Sequence, residues 1–530
     1  MYVFSRNRFF IALSLLTVSV LSCKKEPTVK PVLRGITVNV SEVLLDESAE
    51  IPFSIRDAGA SFNSDVNSSE CQLSLHFVSG EEGLFHLSNI IKGEVEGDYI
   101  AVISSDSRKP FVEEIKLELS IANGTIRSDA IIVKSSSASS YPVYTGLPIV
   151  YINTKEGAPI NSKEDWVTAT ISISGLDEYS DLKETPISIR GRGNTTWIWP
   201  KKPYTFKFES RTEVLGMPKH KRWILLANFM DRTLMRNALA FHLSELTSLS
   251  WTPKNRYCEL MLNGKHMGNY LLTEQIRVDK NRVAIDEDHP QSFLFESDFH
   301  YDNEWQWREY FGSSWQSSGN IPFSVKFPDD DDLTQEGFDA AKSYIHNILT
   351  VLYGSGFDDP VNGYRAHMDM DSFVDYWIVY ELMGNHELNN PGSVYSYVDS
   401  GGKWTAGPVW DFDWGGLSYS TSPQAKTGLV CWDAVWYARL NDDPWFRAKL
   451  SARWDELLPV FRQQTQFIDD LKAKLTKSAA LNFAMWNPAE DASQNGGRII
   501  NGDENMTFSD AVDRLRKIYT ERMDVISSKL

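Results

Sequence analysis

Cysteine is scarce: four residues in 530, at positions 23, 71, 258 and 431. Residues so few and so scattered cannot form the disulfide framework of a small secreted scaffold. None stands in a C-x-x-C pair, which argues against a zinc site or a dithiol redox motif. Cys258 and Cys431 read as buried free thiols, a bridge between them being the alternative. Long apolar runs are scarce too. One stands out, Phe9 to Leu21, and it is short for a membrane span. Positive charge is in deficit, with 53 Lys and Arg against 71 Asp and Glu and a formal net charge of -18. Such a chain lacks the basic face of a general nucleic-acid binder. No long internal repeat is present.

What the chain does have is length and apolar material. With 530 residues, 42% of them hydrophobic, it predicts two to four domains with real cores rather than disorder. Its 17 tryptophans can fill cores or line sugar and nucleobase sites.

The N-terminus has a basic start (Arg6, Arg8), then the short apolar run, then Val20-Leu21-Ser22-Cys23 and an abrupt turn to polar residues. This order fits a signal peptide over 1–22. The cysteine after a small residue resembles a bacterial lipobox, which implies a chain lipidated at Cys23 and tethered to a membrane through 23–32. The expected setting is the bacterial cell envelope, on the periplasmic side or the outer surface.

Residues 33–136 alternate apolar and polar positions between turn residues, as in "AEIPFSIRD" and "EEIKLELSIANGTIRSDAIIVK". That pattern predicts an antiparallel β-sandwich of immunoglobulin-like type. It holds no cluster of chemistry-bearing residues and reads as a spacer. The serine-rich "SSSASSYP" places a linker over 137–144. From 145 to 530 a strand-rich stretch gives way to a helix-rich one, an α+β arrangement. Helices are expected at 334–353, 369–384, 443–476 and 508–529, and Asn263-Gly264 predicts a two-residue hairpin.

Four stretches carry residues suited to chemistry. "RGRGNTTWIWPKKPYTFKFE" places a glycine- and hydroxyl-rich turn, Arg192 to Thr196, before Lys202 and Lys207. Such a turn can offer backbone N–H groups and hydroxyls to phosphate oxygens. In "LLANFMDRTLMRNALAFHL", Asp231 reads as a helix cap, with Arg236 and Asn237 on the polar side of the helix. "YELMGNHELNNPGSVYSY" gathers Asn385, His386, Glu387, Asn389 and Asn390 after an apolar helix; a carboxylate with amides can position a hydroxyl and ligate magnesium. "GKWTAGPVWDFDWGG" sets Asp411 and Asp413 two apart, on one face if extended. Their aromatic neighbours predict burial, which is costly for an unpaired carboxylate. The run "FPDDDDLT" reads as an acidic lead into the helix near Leu333, where negative charge suits the dipole. Calcium binding is its alternative.

Together, and in this order, these stretches with "CELMLNGKHMGNYLLTEQIRVDKNRVAI" resemble the CotH kinase family over roughly 145–530. The resemblance implies an atypical protein-kinase-like, two-lobed domain. It also implies ATP and Mg2+ as cofactors and phosphoryl transfer to a protein serine, threonine or another hydroxyl. Carried onto this chain, Asp411 is the late magnesium aspartate, with Asp413 beside it. Arg192, Gly193, Asn194, Thr195 and Thr196 form the phosphate-side loop, and Lys202 or Lys207 is the nucleotide lysine. The family's catalytic aspartate is replaced by Glu387, one methylene longer, and its asparagine role falls to Asn389 or Asn390, with Ser393 close by. The alternative is a weak or inactive CotH-like lipoprotein that binds or assembles. It would recognise a protein or glycan through tryptophans such as Trp197, Trp199 and those of "NEWQWREYFGSSWQ". The expected partners are such an acceptor and a membrane, and no nucleic acid.

Overall fold

The computed structural model describes residues 35–45, 48–56, 73–79, 85–105, 115–121, 126–135, 142–300, 305–311, 320–489 and 501–530. The signal segment, Cys23, the tether, Cys71 and most of the serine-rich linker lie outside these residues. The chain divides into two compact units: Met1–Arg108 with Glu113–Ser136, and Lys109–Val112 with Ser137–Leu530.

The first unit is β-rich. Its strands are β1 (Gly35–Val38), β2 (Glu42–Leu45), β3 (Ser48–Arg56), β4 (Ser74–Ser79), β5 (Phe85–Lys92), β6 (Asp98–Ser105), β7 (Ile115–Ile121), β8 (Ile126–Arg127) and β9 (Ile131–Ser135). They form two sheets, β1-β3-β6-β5 and β2-β9-β7-β4, with β8 paired to β7. Period-two burial decides which face turns inward: Ile51, Phe53 and Ile55 of β3 and Ile115, Leu117 and Leu119 of β7 are buried. The sheets are not wholly antiparallel, as expected from sequence, because β2 and β9 pair in parallel. The chain passes to the other sheet between them, so it returns to the edge in the same direction.

The second unit begins with a closed seven-stranded barrel. Its strands are β10 (Ile149–Thr154), β11 (Val167–Ser174), β12 (Leu182–Gly191), β13 (Tyr204–Val214), β14 (Met217–Leu226), β15 (Asn255–Leu262) and β16 (Lys265–Glu274). They run in the order β10-β11-β12-β13-β14-β16-β15. Closure comes from the parallel β10–β15 pair, the other pairs being antiparallel. Ile187, Ile189, Phe206, Phe208, Trp223 and Leu225 fill the interior with other apolar side chains. Alternation therefore turns Ser188, Arg190, Thr205, Lys207 and Arg222 outward. Asn263 and Gly264, both at positive φ, make the β15–β16 hairpin turn.

The strands β17 (Phe293–Ser297), β18 (Gln306–Tyr310), β19 (Asn320–Phe327), β20 (Val394–Val398) and β21 (Thr405–Ala406) form a second sheet, β18-β19-β17-β20-β21. The helices of this unit among the described residues are α1 (Thr195–Ile198), α2 (Arg236–Glu245), α3 (Gln335–Tyr353), α4 (Tyr364–His367), α5 (Met370–Met383), α6 (Tyr437–Leu440), α7 (Pro444–Arg462), α8 (Thr465–Met485) and α9 (Phe508–Ser527). In α3, Ala341, Ile345, Ile348, Leu349 and Leu352 form one buried stripe, and the Thr334 hydroxyl caps it by accepting from the Gly337 N–H. By contrast α5 is buried almost all round, and Gly384 in the left-handed region ends it. The single helix expected over 443–476 is two, α7 and α8, broken at Gln463–Gln464. No Gly or Pro stands at that break to announce it. Cys258 and Cys431 are buried free thiols.

Candidate functional site

A cleft of about 1140 Å³ opens in the second unit, between the outer face of the barrel and the segments around Glu387 and Asp411. Its two walls have opposite charge.

The barrel wall comes from β12, β13 and β14. Register fixes it: Arg190 lies opposite Thr205, and Lys207 lies opposite both Ser188 and Arg222. Three cations surround the Trp166 ring, Lys207 at 4.3 Å, Arg190 at 4.6 Å and Arg222 at 5.9 Å. Burial lowers the Lys207 pKa, and the Arg222 and Arg190 charges lower it further. At the end of β12 the chain turns through Gly191 and Gly193. A Cβ on Gly191 would lie 2.3 Å from the Trp197 ring, so glycine is what lets that ring close over the strand end. Gly193 has φ +83, and a Cβ there would lie 2.0 Å from Thr196 Oγ1. Arg192, Gly193, Asn194, Thr195 and Thr196 all line the cleft, and Lys163 Nζ donates to Asn194 Oδ1 at 3.2 Å.

The opposite wall is acidic. Glu387 has its Oε2 out of solvent with no hydrogen-bond partner. Burial, then the carboxylates of Asp411, Asp298 and Asp413, push its pKa well above the usual carboxylate range. Asp413 is raised likewise by burial and by Asp411, which is hydrogen-bonded to it. Asp298, on the segment after β17, is pushed up to about 6 by burial and by Glu296. Arg192 crosses to this wall. Burial lowers its pKa, opposed by Tyr395, Asp411, Glu296 and Asp413. Its guanidinium lies 5.5 Å from the centre of the Trp410 ring.

Amides from distant segments hold the acids in place. Asn385 Nδ2 donates to the Asp411 carbonyl at 3.3 Å, and Asn237 Oδ1 accepts the Phe412 N–H at 2.7 Å. Asn501 donates to the carbonyls of Asp413 and Met230 and accepts the Gly415 N–H. Arg236 donates to the Gly416 carbonyl at 2.6 Å and pairs with Asp231 and Asp503, all three being fully buried. Burial works against the Arg236 charge, but Asp503 and Asp231 outweigh it and raise its pKa. Asp411 sits at φ +66 and Ser393 at φ +53, uncommon for residues other than glycine. The Ser393 N–H is held by Asp298 Oδ2 at 3.0 Å.

The cleft thus gathers Arg192 to Thr196, Lys207, Glu387, Asn390, Asp411 and Asp413. Two expected residues do not join it. Lys202 is absent from the lining and donates to the Trp197 carbonyl at 2.6 Å. Asn389, also absent, donates to the Val430 carbonyl at 2.7 Å. Arg236 and Asn237, expected on a polar helix face, are buried, because the first turns of α2 are buried on every side and only His242 and Glu245 near its end reach solvent. Asp231, expected as the helix cap, is not the capping residue of α2, which is Met235 without a side-chain cap hydrogen bond; from the preceding turn its Oδ2 accepts the Arg236 N–H at 2.9 Å. Asp329, Asp330 and Asp331 line the cleft, with Asp329 paired to Arg277. Among the described residues no group of three His, Cys, Asp or Glu is placed to hold a metal ion. The tryptophans proposed as a sugar platform are partly core, since Trp199 and Trp307 are buried. Sequence reading missed Glu296, Asp298, Trp166, Arg222 and Asn501. "FLFESDF" is the one place with a signal, two acids at strand spacing beside a buried apolar run.

The sequence profile described as CotH kinase protein matches residues 189–526. No curated protein matches the chain. Among solved structures, an Escherichia coli adhesin, FdeC, shares 12% identity over 45% of this chain and 53% of its own, with a TM-score of 0.16. The chain therefore spans about half the length of that adhesin chain. A marsupial T cell receptor shares 11% identity over 33% of this chain and 90% of its own, with a TM-score of 0.14. At such TM-scores neither likeness defines a fold. The profile match takes in the cleft residues from Arg190 to Trp414, leaving out Lys163, Glu164 and Trp166, and covers more than half of the chain, so the chain belongs to the CotH kinase protein family.

Proposed function

We propose that the second unit transfers a phosphoryl group from Mg-ATP to a hydroxyl on an acceptor. One observation carries this reading: Glu387, with Oε2 buried and unpartnered, faces Asp411 and Asp413 across from Arg192 and the Gly193 turn. Carboxylates held together without enough positive charge suit a hard cation. The donors are too few to cage an ion alone, as is usual for magnesium that shares its shell with phosphate oxygens. Bound Mg-ATP would supply the transferable phosphoryl group and the charge that neutralises these acids.

The chain's own residues take the remaining roles. Asp411 and Asp413 hold the cation, and Asn390 lines the same cleft. Arg192, rather than Lys202, grips phosphate beside them, with the Gly193–Thr196 turn offering backbone N–H groups and hydroxyls. Glu387 orients the acceptor hydroxyl and accepts its proton once the cation has lowered the carboxyl's pKa. Without that charge, burial and the neighbouring carboxylates disfavour the ionised form of Glu387, and this favours one second reading, a binding protein that takes nucleotide without turnover.

The test is the melting temperature of the whole chain against Mg-ATP, together with transfer of labelled phosphate to a hydroxyl acceptor. Nucleotide at a hundred times its dissociation constant adds about 2.7 kcal/mol of stability. No shift at millimolar Mg-ATP sinks the nucleotide reading. A shift that Asp411→Asn removes, without transfer, assigns the second. The lipidated N-terminus at Cys23 is part of the proposal on sequence grounds alone. Its support is the basic, apolar and cysteine order of residues 6–23. Metabolic labelling with palmitate that Cys23→Ser abolishes is the expected result. Among the described residues no helix is long and apolar enough to cross a membrane.

A further inference from the structure

The cations around Trp166 are left without a role by this assignment. Among the described residues Lys207 and Arg222 have no hydrogen-bond or ion-pair partner for their side chains, only ring contacts with Trp166. Arg190 donates through Nη1 to the Glu164 carbonyl at 3.2 Å, while its Nε is out of solvent and unpartnered. Arg222 feels the carboxylate of Asp329, which is already paired to Arg277. Like charges held side by side are costly unless something compensates them, and strand register keeps these three from spreading apart.

The cluster is also set apart from the acids. The charges acting on Lys207 are Arg222 and Arg190, whereas those acting on Arg192, just past the end of β12, include Asp411, Glu296 and Asp413. Phosphates drawn to a cation at Asp411 therefore meet Arg192 first. Lys207, Arg190 and Arg222 line the barrel wall of the same cleft.

We infer that Arg190, Lys207 and Arg222, arrayed around Trp166, form an anion subsite that takes acidic side chains of a polypeptide acceptor. This rests on the phosphoryl-transfer reading for the word acceptor, and the anion site itself does not. Arg190 and Arg222 present planar guanidinium forks suited to carboxylates, and Lys207 adds a point charge. The indole fixes the three heads and keeps one side of the site dry. An acidic stretch bound here would run along the cleft toward Glu387.

The test uses the full chain without nucleotide and two fluorescent peptides, one with six glutamates flanking a serine and one with six glutamines in their place. Anisotropy should show binding of the glutamate peptide alone, weakening as salt rises. Lys207→Glu with Arg222→Glu should weaken it by about tenfold or more. The milder Lys207→Gln with Arg222→Gln should weaken it less, and circular dichroism checks that both fold. Equal binding of the two peptides, or glutamate binding untouched by both double variants, overturns the proposal. So does loss of the Mg-ATP melting shift in the Gln variant with peptide binding intact, which would give the cluster to the nucleotide. If the unmodified chain binds the glutamate peptide but shows no Mg-ATP shift, the phosphoryl-transfer reading falls and the anion subsite stands.

Discussion

The two walls of the cleft are built on different principles. The barrel wall is a lattice: Arg190, Lys207 and Arg222 point outward because Ile189, Phe206 and Trp223 point inward, and the ladder fixes their spacing. On the acidic wall, irregular chain around Asp411 is held by amides and one arginine from elsewhere. In the first case position follows from local alternation. In the second it follows from partners 26 to 180 residues away, from Asn385 on Asp411 to Arg236 on Gly416. A lattice tolerates loss of one outward side chain, whereas a clamped loop fails when a clamp is removed.

The largest effect expected is at the acids. Asp411→Asn should lower phosphate transfer by about 10²–10³-fold, the scale for losing one preorganised charge-stabilising group, and should abolish the Mg-ATP melting shift. Transfer that survives would break the comparison, because the acidic wall would then not be the metal side.

Asn501→Ala tests the clamp without touching the cleft's charges. It strands the Gly415 N–H and two carbonyls, at a cost of about 1–3 kcal/mol in urea denaturation, and should weaken the Mg-ATP shift. The outward Lys207→Gln should leave the denaturation midpoint almost unchanged. Equal costs at the two sites would show that both walls are held alike.

A buried cation at the barrel's edge sharpens the contrast by its pH dependence. Lys201 donates to the carbonyls of Ala227 and Asn269, and burial lowers its pKa from 10.5 to about 7. Above about 7 the unfolded chain holds the proton that the folded chain has lost. Stability should therefore rise with pH from about 7 toward 10, by up to roughly 1.4 kcal/mol per unit from this group. Below about 7 the charged lysine is buried and its cost stays constant. Lys201→Met should flatten that rise in denaturation midpoints measured at pH 7, 8 and 9.

The smallest effect runs opposite to function. Glu387→Gln replaces a carboxyl that is costly to ionise in this crowded set with an amide that never ionises, and should raise stability without magnesium by about 1 kcal/mol, while transfer is lost. A fall in stability would mean that Glu387 has a partner holding it in place.

Legibility in the sequence follows the same division. Alternation showed the strands and the Asn263-Gly264 turn, and apolar spacing showed α3 and α5. Arg192, Glu387, Asp411 and Asp413 were legible because their motifs put unusual residue types together. Asn501 and Asp298 were not, since one asparagine or aspartate in a polar stretch carries no mark of the distant backbone group it will meet. Arg236 was misplaced on a polar face because its partner Asp503 lies 267 residues away.

The segment Asn501–Asp503 also has a consequence for how the protein is made. Its side chains complete the supports of Asp413, Gly415 and Arg236, so a growing chain has already exposed the barrel and the acidic motif before those supports exist. On this reading synthesis itself is a safeguard. A ribosome-bound or prematurely ended chain would hold most of the chemistry-bearing residues yet lack the order to use them, and competence would arrive only once Asn501–Asp503 has been made.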